Sequence, residues 1–152
     1  MCRNQGARPV NRIFVYVGLI VVLALAASAD AATTHRYRGP IAGGGTLRLK
    51  AEVSGGAIVK VRGIAWRRLA IHCHQGNFRF RGGFEREAFP VEGSAFHARG
   101  ASGGQYVSHA RVSGSFRKHG RRVAGTLRVR GALDAHHTGC HSGRRRWWAH
   151  RR

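Results

Sequence analysis

From Leu47 onward, apolar and charged residues alternate along the chain. In Leu47-Arg-Leu-Lys-Ala-Glu-Val53 one parity is Leu47, Leu49, Ala51 and Val53, and the other is Arg48, Lys50 and Glu52. A period of two with charges on one side predicts a half-buried β-strand. Ser54-Gly55-Gly56 signals a turn, and a returning strand follows with Ile58 or Val59 and Val61 inside and Lys60 and Arg62 outside. Leu69, Ile71 and Cys73 share a face in the next run; His74-Gln75-Gly76 turns the chain, and Phe78 and Phe80 then oppose Arg79 and Arg81. Phe89 and Val91 predict a short element, with Pro90 placing it at an edge or a bend. Ala95-Phe96-His97-Ala98 predicts another.

After a break at Ser102-Gly103-Gly104, the residues Tyr106, Ser108, Ala110, Val112, Gly114 and Phe116 line one face of a long strand. Lys118-His119-Gly120 turns into an answering strand with Val123, Gly125, Leu127, Val129 and Gly131 on one face. The last run, Arg145 to Arg151, puts Trp147 and Ala149 together. Gly63, Gly114 and Gly125 fall inside these runs and predict bends or bulges. Helical spacing over three turns is absent after the opening segment. The expectation is an all-β domain: a single antiparallel β-barrel or β-sandwich of about eight to ten short strands, mostly meander. If Phe78, Phe80, Tyr106, Phe116 and Trp147 point inward, they fill a barrel and leave no room for a ligand.

The opening segment is different. Arg3, Arg8 and Arg12 precede an uncharged apolar run from Ile13 to Ala27, and Ala27-Ser28-Ala29 and Ala29-Asp30-Ala31 follow it. A basic start, an apolar middle and a small-residue end predict a secretory signal peptide over 1–31, cleaved after Ala29 or Ala31. The alternative, a retained membrane anchor, needs roughly 20 apolar residues, more than this run holds. The expected product is one secreted domain over 32–152, extracellular or associated with the cell wall.

Export changes how the cysteines are read. Cys2 leaves with the leader, and Cys73 and Cys140 remain. Two cysteines in an exported chain predict one disulfide.

The chain carries 27 Lys and Arg against 6 Asp and Glu, a formal net charge of +21. Only Arg3, Arg8, Arg12 and Asp30 of these lie in the leader, so nearly all the excess belongs to the domain. Such a balance favours anionic partners: nucleic acid, acidic polysaccharide, wall polymer or a membrane surface. The competing explanation is coding bias. Lys50, Lys60 and Lys118 are the only lysines, and Ala, Gly and Arg abound, as a GC-rich genome produces at surface positions.

Several features together resemble a known family. Tyr37-x-Gly39 opens the domain, a cysteine ends a mid-chain strand, and Val112-Ser-Gly-Ser-Phe116 and Arg122-Val-Ala-Gly-Thr-Leu-Arg-Val129 follow. Cys140-His-Ser-Gly143 and Trp147-x-Ala149-x-Arg151 close the chain. From Thr34 to Arg152 the sequence resembles a family of small secreted all-β proteins widespread in high-GC actinobacteria, a family without an assigned activity. The resemblance implies the fold and the Cys73–Cys140 pairing, and it implies no catalytic residue. This chain departs from it in its density of arginine and histidine.

Two constellations carry candidate chemistry. His72-Cys73-His74 and His136-His137-x-x-Cys140-His141 bring His72, His74, His136, His137 and His141 near the two cysteines. Imidazoles and thiolates are zinc ligands. An oxidised pair leaves a histidine-only metal site as the alternative to no metal at all, and the spacing fits no zinc-finger signature. The tail Arg144-Arg145-Arg146-Trp147-Trp148-Ala149-His150-Arg151-Arg152 interleaves arginine with tryptophan. That pattern suits anionic membranes and single-stranded nucleic acid. It also suits a final strand with Trp147 and Ala149 inside and Arg146, Trp148 and His150 outside, the reading that the family resemblance favours. Arg144, Arg145, Arg146, Trp148, Arg151 and Arg152 are the candidate anion or membrane contacts.

Enzymatic readings find little support. The domain's carboxylates are Glu52, Glu85, Glu87, Glu92 and Asp134. Glu85 and Glu87 share a face of a strand, which a solvated surface explains. With no helical spacing after the opening segment, the chain lacks the strand-to-helix turn that a nucleophile elbow needs and the helix that a phosphate-binding glycine loop opens. The expectation is a non-enzymatic basic domain that needs no cofactor and contacts anionic extracellular or cell-wall polymers. The alternative is a small-ligand or metal-binding barrel that uses the histidines.

Overall fold

The computed structural model describes residues 32–102 and 108–152. The expected leader over 1–31, the expected cleavage after Ala29 or Ala31, and Tyr106 lie outside the described residues. Nine strands are described: β1 (Thr33–Pro40), β2 (Thr46–Ser54), β3 (Ala57–Cys73), β4 (Gly76–Glu92), β5 (Ala95–Ser102), β6 (Ser108–Arg117), β7 (Arg122–Gly131), β8 (Cys140–His141) and β9 (Arg145–Arg151). Every pairing is antiparallel.

From β1 to β7 each strand pairs with the next, β7 pairs with β9, and β9 returns to β1. The sheet therefore closes on itself, so the fold is a barrel rather than a sandwich. Short β8 bridges β3 and β7 at one end, where His141 lies opposite both His72 and Arg130. Closure shortens the exposed edges that an open sheet of this length would present, and the seam is thinnest between β4 and β5, which pair only at Val91–Phe96 and Glu92–Ala95.

The alternation does what its period requires. Leu47, Leu49 and Ala51 are buried while Arg48 and Lys50 are exposed, and Val123, Leu127 and Val129 are buried opposite exposed Arg122, Arg128 and Arg130. In β9, Trp147 and Ala149 are buried and Arg146, Trp148 and His150 are exposed. The last run is thus the strand that closes the barrel.

Side chains fill the interior. Tyr37, Phe116, Phe96 and Trp147 form one aromatic chain, with ring centroids 5.5, 6.0 and 6.3 Å apart in that order. Trp66, Phe84 and Phe89 form a second, at 5.9 and 5.3 Å. Such edge-on or tilted pairs add about 0.5–1.5 kcal/mol each beyond their buried area. The expected set of filling residues needs correction. Phe116 and Trp147 are buried as predicted, but Phe78 and Phe80 only pack against the core from a partly exposed position. Tyr37, Trp66, Phe84 and Phe96 take the central places instead.

Two further expectations change. β3 and β4 are single strands of 17 residues each, not series of short runs. Positive φ at Gly63 (55°) and Arg68 (55°) accompanies register shifts that change which parity faces inward, so Val61, Ile64, Trp66 and Leu69 are all buried. A simple alternation test reads such a strand as broken. Gly63 is therefore at a bulge, as expected, but Gly114 and Gly125 are not. They lie directly opposite each other in the regular β6–β7 ladder. A Cβ on Gly114 would overlap the Phe96 and Trp147 rings, and one on Gly125 would overlap the Ser113 carbonyl. Their role is close approach: Gly114 makes room for the buried Phe96 and Trp147 rings, and Gly125 for the β6 backbone.

Cys73 ends β3, Cys140 opens β8, and a disulfide joins them across a sequence separation of 67. Chain entropy gives a loop of that size about 4 kcal/mol of stabilisation. Asp134 orders the segment before β8: its Oδ1 accepts the backbone N–H groups of His136 and His137 at 2.9 and 2.8 Å. Beyond β8, buried Ser142 accepts the Val129 N–H through its hydroxyl at 2.9 Å and donates its own N–H to the Val129 carbonyl at 3.0 Å. The Tyr37 hydroxyl donates to the Gly120 carbonyl and ties β1 to the β6–β7 turn.

A candidate anion-binding surface

Residues facing each other on neighbouring antiparallel strands hold their Cβ atoms about 4.5–5.5 Å apart. Register therefore decides which outward side chains meet. On β7, β9, β1 and β2 it aligns Arg122 with His150, His150 with Arg38, and Arg38 with Arg48. A neighbouring row aligns Arg36 with Lys50 and Lys50 with Arg62. Arg117 faces Arg122 at the end of the β6–β7 hairpin. Arg38–Arg48, Arg36–Lys50, Lys50–Arg62 and Arg117–Arg122 are like charges placed directly opposite one another, an arrangement that destabilises a ladder.

Few carboxylates answer them. Among the described residues the ion pairs are Arg48–Glu85 at 4.0 Å, Lys60–Glu52 at 3.9 Å, Arg62–Glu52, and His137–Asp134 at 2.7 Å. Arg48 and Glu85 are both largely exposed, so that pair contributes little. Arg36, Arg38, Arg122 and Arg146 have no carboxylate partner among the described residues.

Trp148 stands within this basic surface at 46% exposure. Arg146 and His150 flank it on β9, and Ala124 lies directly opposite on β7. The small Ala124 side chain leaves the indole uncovered. The β1–β9 register set by Arg38–His150 and Ile41–Trp147 brings Pro40 beside it on the other side. An indole bordered by guanidinium groups offers an apolar face together with charge.

The other tail candidates separate. Arg144 is exposed in the segment leading into β9. Arg145 is half-buried and donates its Nε–H to the Ser142 carbonyl at 2.6 Å, a structural use. Arg151 lies opposite Tyr37 at the barrel's end, and the Arg152 N–H donates to the Arg36 carbonyl at 2.9 Å. Arg151 also acts on its neighbours. Burial, aided by the Arg151 charge, lowers the His35 pKa below its ordinary value. Burial raises that of Tyr37.

The histidines gather less closely than the sequence implies. His72 and His141 lie directly opposite, with ring centroids 5.8 Å apart, and His72 hydrogen-bonds to Asn77. His137 packs edge-on against Phe78 at 4.2 Å and bonds to Asp134 at 2.7 Å. That hydrogen bond, with the backbone N–H groups of His136 and His137, holds the Asp134 carboxyl below its usual range. His136 is exposed, and His74 lies over Gly139. Among the described residues no three His, Cys, Asp or Glu side chains come together to hold a metal. His72 and His141 border an open cleft of about 610 Å³ with Phe78, Arg79, Arg144 and Arg145.

Reading the sequence alone does not single out Arg38, Arg48, Arg99, Arg111 or Arg128. Their outward parity is visible in the alternation, but which arginines face one another depends on hairpin register. No family model, no curated protein and no solved structure matches this chain.

Proposed function

We propose that this is a non-enzymatic, secreted, basic β-barrel that holds anionic extracellular or cell-wall polymers on its outer wall. One observation carries the reading: the row Arg122–His150–Arg38–Arg48, unrelieved by carboxylates apart from the exposed Arg48–Glu85 contact, runs beside exposed Trp148. Repulsion between Arg38 and Arg48 lowers the stability of the free protein, and a polyanion laid across them reverses the sign of that term. The indole adds a face on which sugar rings or bases stack. A barrel filled with side chains directs recognition to the outside wall. The Cys73–Cys140 disulfide accords with an oxidising, extracellular location.

An array of anionic polymers, probed with the purified disulfide-bonded protein and with an Arg38→Ala/Arg48→Ala variant, tests the reading. Sulfated or phosphorylated polymers should retain the wild-type protein and release the variant at lower salt. Equal retention of both proteins, or none of either, would overturn it.

A second reading, weak metal binding by histidine, draws on the His72–His141 pair, since two opposed imidazoles can share a zinc or copper ion with water completing the shell. Calorimetric titration with Zn²⁺ or Cu²⁺ at tens of micromolar tests it; absence of heat removes it.

A further inference from the structure

The wall formed by β5, β6 and β7 carries a second basic feature. Arg99 lies opposite Arg111, and Arg111 lies opposite Arg128. Adjacent strands are about 4.8 Å apart, so three arginine stems rise in one row from three neighbouring strands. In a neighbouring row, Ser113 faces His97 on one side and Thr126 on the other, and the Ser113 and Thr126 hydroxyl oxygens are 3.0 Å apart. Arg144 joins Arg99, Arg111 and Arg128 around a cleft of about 280 Å³. No carboxylate lines this cleft, and none of its four arginines has an ion-pair partner among the described residues.

A solvated surface has no need of this arrangement. Three like charges in register weaken the sheet that carries them, and here the row also borders a concave surface. Converging on one concave spot, the same charges make a receptor. Each guanidinium is a planar fork that grips an oxyanion through two parallel hydrogen bonds, which a lysine cannot do. A carboxylate accepts only in its own plane through two oxygens, enough for about two forks. A phosphate or sulfate group has three or four, enough to be shared across the row, and the Ser113–Thr126 pair can supply a hydroxyl donor.

We propose that Arg99, Arg111, Arg128 and Arg144 form a receptor for a single phosphate or sulfate group, with Ser113 and Thr126 beside them in the same cleft. The shared chemistry is a tetrahedral oxyanion, free or esterified. Trp148, Arg38 and Arg48 do not line the cleft. The receptor therefore stands whether or not a polymer grips the β9 face.

Calorimetry and thermal unfolding of the disulfide-bonded protein in phosphate, sulfate, acetate and chloride at one fixed ionic strength test the proposal. Phosphate or sulfate should bind one-to-one with saturation and raise Tm, and acetate and chloride should do neither. Whichever of the two oxyanions binds more tightly identifies the ester to seek in the natural partner. Arg111→Lys keeps the charge and removes the fork, and it should weaken binding at least tenfold. Arg111→Ala should abolish binding and, by relieving the row, raise the anion-free Tm by about 1–5 °C. Should Arg111→Ala fail to fold, Arg111→Lys and Arg128→Lys carry the test. Trp148→Ala should bind phosphate as the wild type does, even where it loses polymer. An equal Tm rise in chloride or acetate, or unchanged affinity in Arg111→Lys, would overturn the receptor and leave only general screening.

Discussion

Trp147 and Trp148 are neighbours in the chain and lie on opposite faces of β9, the first 1% exposed and the second 46%. Trp147 packs against Phe96 and over Gly114, and Trp148 faces solvent among arginines. Equal substitutions should therefore have unequal effects. Trp147→Ala should cost about 3–5 kcal/mol, and Trp148→Ala should stay within about 0.5 kcal/mol of wild type. Urea unfolding of both variants checks the stabilities, and polymer retention should fall in Trp148→Ala. Comparable stability losses in the two would contradict this placement of β9.

Gly114 leaves room for the Phe96 and Trp147 rings, and Gly125 lets the β6 backbone come close. Gly114→Ala places a methyl group against Phe96 and Trp147, and overpacking of this kind typically costs about 1–3 kcal/mol. Gly125→Ala meets backbone, at the Ser113 carbonyl, and should cost at least as much. A Gly63→Ala change acts differently, through its positive φ of 55° at the β3 bulge rather than through crowding. Denaturation midpoints of the three variants, together with near-ultraviolet circular dichroism for the tryptophan environment, should separate the two mechanisms. Only Gly114→Ala should disturb the aromatic signal strongly.

The disulfide should be worth a large share of the protein's stability. Cys73→Ser with Cys140→Ser should cost about 2–5 kcal/mol, with the loss concentrated where β8 bridges β3 and β7. Amide exchange should quicken first at Ser142 and Val129, whose mutual hydrogen bonds depend on β8 remaining in place. An intact-mass measurement showing two alkylated thiols without reductant would remove the bridge altogether.

Acid should weaken the barrel through His35. Its Nδ1 is buried without a hydrogen-bond partner, and its pKa lies below the ordinary 6.5. The unfolded chain protonates this ring more readily than the folded one, so the unfolded state binds more protons as pH falls through about 6.5 and stability declines there. Above that range both states hold a neutral ring and His35 contributes no pH dependence. His35→Gln should flatten the fall in Tm between about pH 7.5 and 5.5. An identical slope in wild type and variant would show that His35 is not responsible.

Much of this fold is legible in the sequence because half-buried strands declare themselves by alternation. Leu47–Val53 and Val123–Val129 show clean parities, and the parity of Arg145–Arg151 identifies Trp147 as core and Trp148 as surface. The alternation hides β3, because bulges at Gly63 and Arg68 switch the inward face and make Ile64, Ala65 and Trp66 read as a continuous run. The placing of Trp66 and Phe84 at the centre stays hidden for the same reason. The arginine rows are half legible. Outward parity marks Arg111 and Arg128 as exposed, but only the paired register of β6 and β7 shows that they face one another. The histidines mislead in the opposite sense. Their closeness to Cys73 and Cys140 in sequence implies convergence, yet His137 turns to Asp134 and Phe78 while His72 meets His141.

The most direct test of a polyanion-gripping wall is the salt dependence of heparin affinity for wild type and for Arg38→Ala/Arg48→Ala. Each arginine–anion contact releases condensed counterions, so log K should fall linearly with log salt, steeply where several contacts form. The wild-type slope should correspond to at least about four contacts, and the variant's slope should be shallower by about two. Affinity that does not change with salt, or a variant slope equal to the wild type's, would contradict it.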